Sequence, residues 1–296
     1  MAQEPVVLTA QARDHLVETR IACPFLGGAV HQELLGVRGS GDNPLADMEE
    51  VRRLGNTGGG DLGDLLVLFA AGNHAFMRDA SGTTLSAPVP AGLFSLELPG
   101  SQGSHPGHSG ILEGDPTQLG SGRTSQEDFD RLAARAKDGF LQRSDVGCFI
   151  AENLKKDPKS KVTGTSVVEL LSHDLAAFVE AIGSNLIARF FSSDEDAAQA
   201  HRVLEEKLTK LTGEDNLVGS AGEFGLLFAF LARSPETRVI DGEPALSLET
   251  VRGMFLRKTF PDGWQSWPKT RAGWVLHTTG LMLSADKEYR RLSAEA

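Results

Sequence analysis

The stretch EFGLLFAFLA, residues 223–232, is almost wholly apolar after its first residue. A continuous apolar run of this length without proline predicts a helix that is buried in the core of the protein. Its first residue, Glu223, follows the small residues GSAG at 219–222. A carboxylate at this position is either a partner for the positive end of the helix or a partly desolvated functional acid. The residues alone leave both interpretations open.

Further helices are predicted on both sides of this run. Asn43-Pro44 has the pattern of an N-cap followed by proline at the first helical position, which predicts a helix over residues 44–55. Serines at N-cap positions and apolar residues at helical spacing predict other helices at 61–77, 125–137, 145–154, 167–190, 193–211, 247–258 and 269–292. Because alternating strand patterns are scarce, the sequence predicts an all-α fold in a single domain over residues 1–296.

One long segment departs from this helical pattern. Residues 82–122 are rich in Gly, Ser and Pro and show no helical periodicity. A segment of this length is usually a functional or a disordered loop, so we expect a loop insertion here. The sequence places its only expected extended pieces within this loop, around residues 83–86 and 93–98.

Charge and composition exclude several classes of protein. The chain has 40 acidic and 29 basic residues and a net charge of −11, which argues against a nucleic-acid or anionic-membrane surface. No apolar stretch reaches the roughly 18 residues that a membrane span needs. The start, MAQEP, lacks the basic and apolar regions of a secretory signal, and two cysteines make no disulfide framework. We therefore expect a cytoplasmic protein.

One of these two cysteines, Cys23, lies in the run ACPFL at residues 22–26. An early cysteine in a helical chain is either a small buried hydrophobe or the thiolate ligand of a haem iron. A thiolate ligand donates electron density to the iron and favours cleavage of an O–O bond, which would indicate chemistry with peroxide or oxygen.

Three separate pieces of the chain resemble the haem-thiolate peroxidases of the chloroperoxidase and unspecific peroxygenase type, in the family's order. Cys23-Pro24 is similar to the Pro-Cys-Pro element whose cysteine binds the iron, with Ala22 in place of the first proline. The other pieces are SQEDF at 125–129 followed by DGFLQRSD at 138–145, and AGEF at 221–224 followed by MFLR at 254–257 and PDGW at 261–264. They are similar to the family's metal-binding element and to its distal-glutamate helix with the C-terminal stretch. The resemblance covers about half of the chain.

The resemblance implies a single helical domain of chloroperoxidase-like type that binds haem b and uses hydrogen peroxide to oxidise a small organic substrate. In this interpretation Cys23 is the proximal iron ligand. Glu223 is the distal acid–base group, because a carboxylate in an apolar pocket can accept a peroxide proton and return it to the leaving oxygen. The alternative is a diverged, non-catalytic member of the family that serves as a binding or structural protein.

The predicted metal element departs from the family pattern. Where the family has a glutamate and a serine that help to bind magnesium, this chain has Ala136 and Phe140, which offer no oxygen ligand, so magnesium is doubtful. Lys137 is either a direct cation for a haem propionate or a charge at a helix C-terminus. Glu113, in Glu113-Gly114-Asp115, imitates the metal element and is a second choice for a metal site.

Overall fold

The computed structural model describes residues 4–21, 23–40, 43–71, 76–78, 84–86, 90–96, 111, 123–156, 186–212 and 216–295. Within these ranges helices dominate. They are α1 Ala10–Thr19, α2 Pro24–His31, α3 Met48–Gly55, α4 Gly63–Ala71, α5 Gln126–Ala133, α6 Arg143–Lys156, α7 Leu186–Phe190, α8 Asp194–Thr212, α9 Asn216–Leu231, α10 Leu248–Leu256 and α11 Arg271–Ala294. Most of the predicted loop 82–122 and most of the predicted helix 167–190 lie outside the described residues.

The prediction of an all-α fold is wrong. The described residues form two three-stranded antiparallel sheets, in the orders β1-β2-β5 and β6-β8-β7, and a two-stranded pair β3-β4, so the fold is mixed α/β. The strands are β1 Arg38–Ser40, β2 Asn43–Asp47, β3 Phe76–Arg78, β4 Thr84–Ser86, β5 Leu93–Ser95, β6 Phe140–Leu141, β7 Arg238–Ile240 and β8 Glu243–Ser247. Strands β4 and β5 confirm the predicted extended pieces over residues 84–86 and 93–95, but sheet residues also lie far outside the loop.

The predicted helix start at Asn43-Pro44 is the clearest local error. Residues 43–47 form the central strand of the first sheet, and the carbonyl of Pro44 accepts a hydrogen bond from the N–H of Leu96 at 2.9 Å. The helix begins only at Met48, where the Asp47 carboxylate accepts from the N–H of Glu49 at 2.8 Å. The true N-cap therefore lies four residues beyond the predicted one.

Two Asp-Gly turns build the second sheet. Asp138-Gly139 and Asp241-Gly242 both have positive φ at each residue, as tight two-residue hairpins require. The first turn brings Lys137 opposite Phe140, and the second joins β7 to β8. This sheet is thus specified by turn chemistry and not by long alternating strands.

The long C-terminal helix α11 packs against α6 and α9. Glycines allow the close approach at both contacts. A Cβ at Gly147 in α6 would overlap Ser284, and a Cβ at Gly225 in α9 would overlap the side chain of Thr278. The three helices therefore form a tightly packed unit, and the opposite side of α9 faces the candidate site.

No helix in the described ranges combines the length and apolar character that crossing a bilayer requires.

Candidate functional site

A pocket with about 830 Å³ of space between its walls, mouth included, lies between α2, α9, α10 and the pair α3–α4. Its described lining residues are Cys23, Pro24, Phe25, Leu26, Val51, Leu62, Leu66, Phe69, Ala70, Glu223, Phe224, Leu226, Leu227, Phe230, Met254 and Phe255. Fourteen of these sixteen are apolar; the two exceptions are Cys23 and Glu223.

Cys23 enters the pocket from the N-terminus of α2. It is the N-cap residue with extended backbone, and Pro24 occupies the first helical turn, where its missing N–H leaves no unmade bond. The residue is half-buried, and its exposed part faces the pocket. Cys23 therefore lies where the first turn of α2 meets a mostly apolar space.

The environment of Cys23 favours the neutral thiol. Burial, followed by the charge of Glu223, raises the pKa of the thiol to about 12. The N–H groups of Leu26 and Phe25 and the ammonium of Lys258 act in the opposite direction, although no cap hydrogen bond of ordinary geometry reaches the sulfur. Without a bound cation Cys23 is therefore protonated at neutral pH.

Glu223 lies in the second turn of α9 and is half-buried at the pocket wall. It is not at the helix N-terminus, because α9 already begins at Asn216. The indole N–H of Trp274 donates to the carbonyl of Gly222 at 2.9 Å, which ties the backbone beside Glu223 to α11. Of the two interpretations of Glu223, the helix-end charge is thus not supported, and the carboxylate in an apolar pocket is the arrangement that the structure shows.

An aromatic cluster supports the wall formed by α2 and the C-terminal half of α9. Phe25 meets Phe230 edge-on with ring centroids 5.5 Å apart, and Phe260 lies 5.5 Å from both rings. Trp264 stacks on Phe230 at 5.2 Å. These contacts hold the backbone around Cys23 against a rigid surface.

The other predicted site residues are not among the described residues that line the pocket. Lys137 is exposed in the hairpin that it forms with Phe140 and is not among the pocket residues, so it is not brought together with Cys23 and Glu223. Glu113 lies outside the described residues. The second cysteine, Cys148, is half-buried in α6 and does not line the pocket. In the part of the chain that the structure describes, no three His, Cys, Asp or Glu residues gather in a way that would hold a metal ion.

Sequence reasoning missed Lys258. It is only 4% exposed, and its charge acts on Cys23. A lysine at the predicted end of a helix is ordinarily a solvated C-terminal cation, so the sequence carries no signal for its burial. The burial of Lys258 is recognised only in the folded structure, where α2 packs over it.

No protein-family model, no curated protein and no solved structure matches this chain.

Proposed function

We propose that this chain is a haem-thiolate peroxidase or peroxygenase that uses hydrogen peroxide to oxidise a small organic molecule. One observation carries the proposal: Cys23 and Glu223, 200 positions apart in the sequence, are the two residues of the described lining that are not apolar. A soft ligand and a carboxylate in one otherwise apolar pocket suit a metal-bound reaction in which a proton must be moved.

The residues present fit a haem. Cys23 supplies the sulfur ligand that iron accepts, and the apolar walls from α4 and α9 suit the faces of a macrocycle. When bound, haem with a thiolate ligand supplies the electron density that favours cleavage of the O–O bond of peroxide. Cys23 must lose its proton on binding, so affinity for the iron rises with pH.

Glu223 is proposed to handle the peroxide proton. Its carboxylate can accept a proton from hydrogen peroxide that enters the pocket and return it to the departing oxygen as water forms. The other described residues around it are apolar apart from Cys23, so a peroxide proton has few other acceptors in the pocket. The substrate is expected to be apolar over most of its surface, because the described walls offer it few other polar contacts.

Adding ferric haem to the purified protein tests the proposal. We expect the absorption spectrum of a thiolate-ligated haem, and a red-shifted Soret band for the ferrous carbon monoxide complex. Cys23→Ala should abolish these features. Cys148→Ala is the matched control: it removes the other thiol, which lies outside the pocket, and should leave the spectrum unchanged. A protein that binds no haem, or a Cys23→Ala variant with the parent spectrum, would refute the proposal.

A second candidate function is a non-catalytic protein that binds an apolar ligand. The protonated state of Cys23 favours it, because a neutral thiol is compatible with an apolar pocket that holds no metal. An apolar fluorescent probe that binds to the protein, combined with the failure of haem to compete for it, would favour this second function.

A further inference from the structure

Lys258 is buried against the first turns of α2 and is not among the described residues that line the pocket. Its aliphatic stem lies so close to Gly27 that a Cβ on that glycine would be 2.9 Å from Cδ of the lysine. The carbonyl oxygen of Lys258 also lies near Gly28, 3.4 Å from the position of a Cβ there. At the other end, Nζ donates to Oγ1 of Thr124 at 3.3 Å. The ammonium is therefore held in one place by the fold.

Two features make this position unfavourable for lysine. The backbone has a φ of +50°, the left-handed region that glycine commonly adopts just after a helix. Burial also removes the ammonium from water and lowers its pKa to about 8, although the neighbouring Cys23 acts to raise it. A buried residue with both backbone strain and a desolvated charge points to a functional constraint.

We propose that Lys258 is a positioning residue that places a fixed positive charge behind the sulfur of Cys23 and stabilises the metal-bound thiolate. The proposal deepens the haem-thiolate function and rests on it. A thiolate in an apolar pocket is unfavourable, and Glu223 adds a second negative charge on the pocket side. A cation behind the thiolate compensates for the burial of the thiolate charge and for its repulsion by Glu223.

The charge of Lys258 can be measured at Cys23 without haem. In a Cys148→Ser background, Cys23 of the haem-free protein is alkylated in parallel with iodoacetate and with iodoacetamide, and the rates are followed by mass spectrometry. Both reagents consume the same thiolate, so the ratio of their rates reports the electrostatic potential at the sulfur and not its degree of ionisation. We expect Lys258→Met and Lys258→Gln to lower the iodoacetate-to-iodoacetamide ratio by about 5-fold or more.

Two further variants distinguish an effect of the Lys258 charge on the alkylation ratio from a general effect of changing a buried lysine. Lys258→Arg keeps the charge and should keep the ratio within about twofold of the parent. Lys269→Met removes another fully buried lysine, which interacts with Thr57, Trp264 and Trp267, and should leave the ratio unchanged. If Lys258→Met does not fold, Lys258→Gln decides the test. A folded neutral variant with the parent ratio, or a Cys23 that neither reagent reaches, would overturn the proposal.

The haem complex provides the second measurement. Removal of the cation should shift the reduction potential to more negative values, because the ferric state carries one more positive charge than the ferrous state. Lys258→Arg should restore the parent potential. If the parent binds no haem, the proposed function fails, and the alkylation ratio still decides whether Lys258 acts on the sulfur. If haem binds and the potential is the same in Lys258→Met and the parent, the proposal for Lys258 fails while the proposed function stands.

Discussion

The two sides of α9 differ in how they are packed. On one side, Glu223, Leu226 and Phe230 border an open apolar pocket. On the other, Gly225 and Phe228 press against α11 so closely that the space beside Gly225 cannot hold one more methyl group. The two sides therefore have different roles. The side packed against α11 fixes the position of α9, and α9 in turn holds the carboxylate of Glu223 at the edge of a space into which a ligand can fit. Changes on the two sides should therefore have different consequences.

The largest expected effect comes from the pocket side. Glu223→Gln preserves the shape of the side chain but removes its ability to accept a proton. We expect normal haem binding but a rate of peroxide-dependent substrate oxidation lower by about 10²-fold or more. Stopped-flow mixing of the haem complex with hydrogen peroxide measures this rate. A Gln variant as fast as the parent would show that the proton is handled elsewhere.

On the packed side, Gly225→Ala should act on stability. The added Cβ would overlap the hydroxyl of Thr278 and lie 3.2 Å from its Cα, so α9 and α11 must move apart. We expect the free energy of unfolding to fall by about 1–3 kcal/mol, measured by urea denaturation.

Gly222→Ala is a matched control in the same helix. Among the described residues, its Cβ would meet Phe69 and Trp274 at 3.7 and 3.8 Å, which are ordinary contacts. The substitution should therefore be neutral or stabilise the protein by up to about 1 kcal/mol through helix propensity. Equal destabilisation by both alanines would contradict the proposed difference in packing.

Several features that depend on neighbouring residues in the sequence were predicted correctly, whereas most features that depend on distant residues were not. The N-caps at Ser125 and Ser247 are confirmed by hydrogen bonds to Asp128 and Thr250, because a cap depends on residues three apart. The three-stranded sheets were not predicted because their strands are short and because two of the pairings, β2 with β5 and β6 with β8, join residues that are far apart in the sequence. The Asp-Gly pairs at 138–139 and 241–242 are the local hairpin signal for the turns before β6 and between β7 and β8.

The prediction of the candidate site was limited in the same way, because contacts between distant residues could not be predicted. The sequence offered Cys23 and Glu223 as candidates through the resemblance, and the structure places both in one pocket. Lys137, which came from the same resemblance, is exposed instead. The burial of Lys258 could not be predicted, because it depends on two glycines of α2 that lie more than two hundred residues earlier in the chain.

A pH dependence should also arise on the packed side of α9. His277 is 5% exposed and lies 5.6 Å from Phe228. Burial, followed by the charge of Arg143, lowers its pKa from 6.5 to about 4, while Glu243 acts in the opposite direction. Between these values the unfolded chain binds more protons than the folded protein at this residue. The contribution of His277 to stability is therefore present above pH 6.5 and is lost as the pH falls towards 4.

The effect of His277 can be isolated with His277→Leu, which cannot titrate. The parent should lose on the order of 2 kcal/mol more than the variant between pH 6.5 and 4, in paired denaturation curves at several pH values. Parallel pH profiles of the two proteins would show that His277 is not buried in its neutral form.

The smallest expected effect comes from removing a hydrogen bond that links α11 to the backbone beside Glu223. Trp274 on α11 donates its hydrogen bond to the carbonyl of Gly222, the residue before Glu223. Trp274→Phe keeps most of the ring that meets Phe69 edge-on at 6.2 Å but removes the donor, and should cost about 1 kcal/mol of unfolding free energy. If this bond also positions the carboxylate, the rate of peroxide-dependent oxidation should fall a few-fold in the single variant. It should not fall further when Trp274→Phe is added to Glu223→Gln, because the group being positioned can no longer accept a proton. A Trp274→Phe effect on rate that is the same in both backgrounds would show that the tryptophan stabilises the helix without acting through Glu223.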